Sequence, residues 1–283
     1  MWAAGGCAVT AWIAIPAAMS VEVALAQDYD AVTFDLQHGL MGYDGVVPLL
    51  HAAHGRGRTV LARAPWNSPG IMGKLLDAGC MGIICPMVNT AEEAARFVGA
   101  CRYAPRGYRS TGPIRVGLLH DGYAEQANDA VVTLAMVETE EAVRNLDGIL
   151  ATPHLTGVYV GPGDLALSMG LRPRLDPTDP RVLAQVAWIL AKTHAAGLKC
   201  GIHCGTPAAT AEAVAQGFDF VALGTDVRML KAAQSAEVTA FRRLSRGAQR
   251  QRRQLRASGD AAAAAAAAAG SALSPPPPAG HPA

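Results

Sequence analysis

Short apolar or β-branched runs alternate with stretches of helical period along most of this chain. The runs at residues 9–15, 31–34, 59–62, 82–85, 131–137, 157–160, 199–202 and 218–223 are strand-length and rich in Val, Ile, Leu, Ala and Phe. Between them, residues 43–54, 68–78, 90–103, 140–150, 180–196, 206–216 and 226–243 repeat apolar positions every three to four residues, as helices do. Eight strand–helix units within about 240 residues predict an α/β fold of the (β/α)8, or TIM-barrel, type. An open doubly wound sheet is the competing arrangement. It usually carries a glycine-rich phosphate loop after its first strand, and none follows residue 15.

In such a barrel, chemistry collects in the loops that follow the strands. Glu138 follows the fifth run and Asp164 follows the sixth, within Gly161-Pro-Gly-Asp164-Leu. Two carboxylates at one end of a parallel sheet suit a hard divalent cation. His38 and Arg63 fall just after the second and third runs, and Pro86, His203 and Thr225 fall at the ends of later ones. A metal, a histidine and an arginine around one pocket are what an enzyme needs to form and hold an enolate.

Composition narrows the reading further. With 51% apolar and 17% charged residues, the 283-residue chain is globular rather than disordered. Its net +1 is unevenly spread: seven arginines and one aspartate from Arg242 onward leave −5 on residues 1–241. A mildly acidic folded part argues against nucleic-acid binding there. Six cysteines occur without a Cys-x-x-Cys pair and read as free thiols. Cys200-Gly-Ile-His203-Cys204 suggests a soft metal site, but no second cluster completes four zinc ligands. The apolar stretch 9–26 lacks a basic flank, since the first basic residue is Arg56, and no apolar stretch of membrane-spanning length follows; a cytoplasmic protein without a membrane span is expected. Residues 246–283, with an arginine-rich stretch, alanines at 261–269 and prolines at 275–278, read as a frayed helix followed by a low-complexity disordered tail, beyond a catalytic domain of residues 1–245. Its arginines could touch RNA, acidic lipid or a partner; a solvated extension is the expectation.

The motifs Asp35-Leu-Gln-His38-Gly, Arg63-Ala-Pro-Trp-Asn, Leu-Asp77-Ala-Gly79, Cys85-Pro-Met-Val, Arg102-Tyr-Ala-Pro-Arg-Gly-Tyr-Arg109-Ser, Val-Glu138-Thr and Gly161-Pro162-Gly163-Asp164-Leu recur in order. Together they resemble the HpcH/HpaI aldolase family of class II, metal-dependent pyruvate aldolases. The resemblance implies a barrel of the phosphoenolpyruvate/pyruvate superfamily, built as a homohexamer with an exchanged C-terminal helix. It implies cleavage of 4-hydroxy-2-oxo acids to pyruvate and an aldehyde through a metal-stabilised enolate. Glu138 and Asp164 match the metal ligands, for Mg²⁺ or Mn²⁺ with Co²⁺ as a further option. Arg63 matches the arginine on the pyruvate oxygens and His38 the acid/base histidine, with Asp35 or Asp77 fixing its tautomer. Trp12, Pro162 and Gly163 match positions lining the substrate.

The chain also departs from this pattern. Met136 stands where better-known members have glutamine, and Gly163 where alanine is usual. His203 occupies a place often aliphatic, an exchange expected to alter which aldehyde is accepted. Lys74 and Lys199 are placed in a helix and at a strand start, which disfavours an imine mechanism. Alternatives on the same fold are a malyl- or citramalyl-CoA-type lyase or another enolate-using enzyme. A non-catalytic binding protein is the alternative from a different class.

Overall fold

The structure is a computed structural model and describes residues 1–271. Eight parallel strands close into a barrel in chain order, with the last hydrogen-bonded back to the first. They are β1 (Ala8–Ile13), β2 (Ala31–Asp35), β3 (Thr59–Arg63), β4 (Gly82–Cys85), β5 (Val132–Val137), β6 (Gly157–Val160), β7 (Lys199–Cys204) and β8 (Phe220–Leu223). The helices preceding β5 are α1 (Ala18–Leu25), α2 (Tyr43–Ala53), α3 (Pro69–Asp77), α4 (Ala91–Cys101), α5 (Ile114–Leu119) and α6 (Tyr123–Ala130). Those that follow are α7 (Glu140–Arg144), α8 (Leu146–Leu150), α9 (Pro162–Ser168), α10 (Pro180–Ala195), α11 (Pro207–Gln216) and α12 (Asp226–Ser271).

Strand alternation divides the core into two layers. Trp12, Leu61, Ile84, Leu134, Tyr159 and Phe220 fill the barrel interior. Phe34, Ile83, Val158 and Val221 point outward and pack with helix residues such as Leu75, Phe97 and Ile189. Burying each such side chain contributes about 1.5–3 kcal/mol, so the strands need apolar residues on both faces. Helix starts are encoded locally: Thr90, Thr139 and Thr206 accept from backbone N–H groups of α4, α7 and α11, and Pro69, Pro162, Pro180 and Pro207 occupy first-turn positions where no backbone donor is needed.

The differences from the sequence reading have physical causes. The apolar stretch 9–26 is β1, a turn and α1, so its hydrophobicity serves the barrel. The helix expected over 140–150 is two short helices broken at Asn145, whose side chain donates to the Asn89 carbonyl instead (2.8 Å). Short helices α1, α5, α6 and α9 were not anticipated, because six to eight residues hold too few periods to register.

The chain divides into two compact units, residues 1–229 and the part from Leu230 on. The first contains the whole barrel. In the second, α12 continues through residues 246–271, further than the frayed helix expected there. Alanine is the strongest helix former and no proline occurs between residues 226 and 271. The prolines at 275–278 lie outside the described residues. No helix among the described residues is long and apolar enough to cross a membrane.

Candidate active site

Period-two alternation carries the interior rows of side chains up to the C-terminal mouth of the barrel. Two residues beyond Thr33, Leu61, Met136 and Gly201 in the chain come Asp35, Arg63, Glu138 and His203, on the same face of each strand. They meet in a cavity of about 350 Å³. Every candidate named from the sequence lines it except Asp77: Trp12, His38, Pro162, Gly163 and Asp164 join the four just named. Of the other expected mouth residues, Thr225 is present and Pro86 is absent.

Arg63 and Asp35 form a buried, two-point pair. Arg63 Nε donates to Asp35 Oδ1 (2.9 Å) and Nη2 to Oδ2 (2.6 Å). Asp35 also accepts from Trp12 Nε1 (3.2 Å) and from the backbone N–H groups of Gln37 (3.0 Å) and His38 (3.2 Å). Burial opposes ionisation of this carboxyl, but the Arg63 bonds and charge, with the His38 N–H and Trp12, outweigh it and hold it below 3.8. Trp12 lies under the guanidinium, 5.0 Å from ring centroid to Cζ. Arg63 Nη1 has no protein acceptor among the described residues, which leaves part of the fork for a ligand.

Asp35 therefore holds Arg63 and the backbone of the His38 loop, rather than the imidazole as expected. His38 itself is exposed at the rim. Asp77 is a second correction: at the end of α3 its carboxylate accepts from Arg109 Nη2 (2.6 Å), and it lines a different cavity. Helix α3 packs on the outside of the barrel, and the ion pair keeps Asp77 there.

Glu138 is buried and accepts from the Met87 backbone N–H (2.8 Å). Burial raises its pKa, the Met87 N–H lowers it, Asp164 raises it and Arg63 lowers it; the balance leaves it at about 7. Gly161 is required here, since a Cβ would stand 2.3 Å from Glu138 Oε2, whereas Gly163 faces open space that an alanine would fit. Met87 and Asp226 were missed from the sequence. Met87 takes φ of 54°, uncommon for a side-chain-bearing residue, to aim its N–H at Glu138. Asp226 accepts from Ala14 N (3.0 Å), Ile15 N (3.1 Å) and Ser20 Oγ (2.8 Å), fixing the loop after β1. An acidic residue opening the helix after the last strand was the available signal for Asp226; nothing in the sequence marks the Met87 backbone.

His203 lies within β7, its ring edge-on to Trp12 at 4.7 Å and its Nδ1 3.4 Å from the Tyr159 hydroxyl. Its neighbours in sequence, Cys200 and Cys204, belong to the outer core layer while His203 faces inward, so alternation separates the three as metal ligands. Burial, reinforced by the Arg63 charge, pushes the His203 pKa down to about 4. Between pH 6.5 and 4 the unfolded chain binds the proton that the folded one refuses, so stability falls with pH across that window, by about 3 kcal/mol in all. Denaturant titrations at pH 7 and 4.5 should find a smaller acid loss in His203→Phe than in wild type. Equal losses would contradict a neutral buried ring.

The family described as HpcH/HpaI aldolase/citrate lyase matches residues 9–233. A hydroxypyruvate/pyruvate aldolase of Rhizorhabdus wittichii is 42% identical over 233 residues, covering 82% of this chain and 93% of the relative. A 4-hydroxy-2-oxo-heptane-1,7-dioate aldolase of Salmonella dublin is 33% identical over 236 residues, covering 82% and 88%. Among solved structures, an HpcH/HpaI aldolase/citrate lyase family protein from Burkholderia cenocepacia superposes with a TM-score of 0.78 at 25% identity, covering 84% of this chain and 95% of that one. With an eight-stranded barrel, the ordered motifs and a match spanning β1 to α12, this chain belongs to the HpcH/HpaI aldolase/citrate lyase family.

Proposed function

We propose that this family member is a class II pyruvate aldolase that cleaves 4-hydroxy-2-oxo acids to pyruvate and an aldehyde and catalyses the reverse addition. The observation that carries the reading is the charge imbalance in one cavity. Asp35, Glu138 and Asp164 line it with one guanidinium, Arg63, and Asp35 already compensates that charge. The remaining two carboxylates fit a divalent cation. They are hard oxygen donors, and two protein ligands leave most of an octahedral shell free for water and substrate oxygens. Mg²⁺ or Mn²⁺ is the matching ion, and its charge would relieve the raised Glu138 carboxyl. When bound, such an ion supplies Lewis-acid polarisation of the 2-oxo group.

The chain's own side chains account for the rest. Arg63 holds the substrate carboxylate and keto oxygen, with Trp12 and Asp35 fixing its plane. His38 accepts the proton of the 4-hydroxyl, directly or through a water. As the C3–C4 bond breaks, the aldehyde carbonyl forms and the bonding electrons pass to the keto oxygen, beside the Arg63 guanidinium. Protonation at C3 then yields pyruvate. His203, Leu175 and Val227 border the remaining space and would meet the aldehyde. The two aldolases described above have names that agree on a 2-oxo acid and differ in the rest of the substrate, which supports the 2-oxo acid half. Self-association through the C-terminal helix, implied by the resemblance, is supported by exposed Val238, Phe241 and Leu244 on α12.

Proton NMR of pyruvate in D₂O tests the reading without knowledge of the aldehyde. The methyl signal should disappear with Mg²⁺ or Mn²⁺ and persist with EDTA. His38→Ala should retain methyl loss at a reduced rate and lose retro-aldol turnover by a factor of about 10²–10⁴, the usual contribution of general acid–base catalysis. Full retro-aldol activity in that variant would remove His38 from the mechanism, and no exchange in folded wild type would remove the aldolase reading.

A further inference from the structure

A further cavity, of about 430 Å³, opens at the opposite end of the barrel. Thr59, the first residue of β3, and Met81, just before β4, belong to its wall, so it lies at the N-terminal ends of strands whose C-terminal ends face the active site. Its lining contains Arg58, Arg115, His54 and His120 and no aspartate or glutamate. That concentration of basic groups is unexpected in a region whose first 241 residues carry −5.

Arg115 is built into place. Its Nη1 donates to the Ala78 carbonyl and its Nη2 to that of Leu50 (3.2 Å). Gly79 makes room for the guanidinium: it adopts φ of 111°, and a Cβ there would stand 2.6 Å from Nη1. Two carbonyls orient the group without neutralising it, and no carboxylate lies within ion-pair distance among the described residues. Arg58 has only a long contact, 3.6 Å, to a fully exposed Asp28. Leu50, Val60, Met81 and Leu119 supply an apolar floor beneath these groups.

We propose that this cavity is a binding site for a phosphate monoester, separate from the catalytic centre. Two guanidiniums and two imidazoles converging from the α2–β3 turn and from α5 and its C-terminal cap match a dianion with three outward oxygens better than a planar carboxylate. The apolar floor leaves space for the organic part of the ester. The site rests on none of the catalytic assignments.

Calorimetric titration of the full chain with inorganic phosphate in EDTA, repeated with acetate, tests this. Saturable phosphate binding, weak or absent for acetate, is expected. The Arg58→Gln/His120→Gln variant should bind phosphate about tenfold or more weakly while keeping wild-type pyruvate methyl exchange. Arg115→Gln should do the same if it folds; the double variant leaves both carbonyl anchors intact and decides the matter alone. Absence of saturable binding to wild type, unchanged affinity in the double variant, or phosphate acting only as a competitor of pyruvate would each overturn the site.

Discussion

Replacing Arg63 with methionine is expected to lower pyruvate turnover by a factor of at least about 10²–10³ and to destabilise the fold by about 3–5 kcal/mol. The first effect follows from removing the one guanidinium among the described lining residues, which in the proposed reaction stands beside the enolate oxygen. The second follows from Asp35, which is buried and loses both guanidinium bonds at once. The Trp12 N–H and two backbone donors remain, so the carboxylate is left solvated by dipoles but without a counter-charge. Adding Asp35→Asn to Arg63→Met should recover much of the stability and none of the activity, because the cost lies in the orphaned charge rather than in the lost contact. Urea midpoints and kcat/KM for the two variants separate these effects. The same pair sets an acid limit: Asp35 titrates below 3.8 in the fold, so its contribution is complete above that value and is lost as pH falls beneath it.

Glu138→Gln is expected to abolish metal-dependent methyl exchange without loss of stability in EDTA. A buried carboxyl raised to about 7 by burial and by Asp164 costs the metal-free fold stability when ionised, and an isosteric amide removes that charge. Metal then becomes the discriminating variable. Wild type should gain about 2.7 kcal/mol at a Mn²⁺ concentration a hundred times its Kd, with a corresponding rise in Tm, and the variant should gain almost nothing at the same concentration. An equal Tm rise in both proteins would mean that the ion binds elsewhere, whatever the activities. Glutamine at 138 can still accept from the Met87 N–H, which keeps the strained backbone at φ 54° in place and restricts the change to charge.

The strands were legible because each is a short apolar run, and burial on both faces of a parallel barrel leaves little room for anything else. Arg63, Glu138 and His203 were legible for a related reason: polar residues closing such runs stand out, and alternation carries them to one mouth, whereas Asp35 entered only through the family motif. Asp77 was placed wrongly because a motif gives order along the chain and not the side of the helix on which a carboxylate ends. Its partner, Arg109, is 32 residues away and reaches it only after α3 and the loop beyond α4 have packed. The same holds for Asp35, where the sequence offered a carboxylate for His38 and folding assigned it to Arg63.

By itself the sequence determined the barrel, its strand order and which strand ends carry charged groups, since these follow from local apolar runs, period-two alternation and capping residues. Only the tertiary structure decided which charges neutralise one another, that Met87 and Asp226 hold the site, and that a basic cavity forms at the far end. Those outcomes depend on distances between residues far apart in the chain. An ion pair or a buried carboxyl is settled by what lies within a few ångströms of it after folding, and composition and spacing do not encode that neighbourhood.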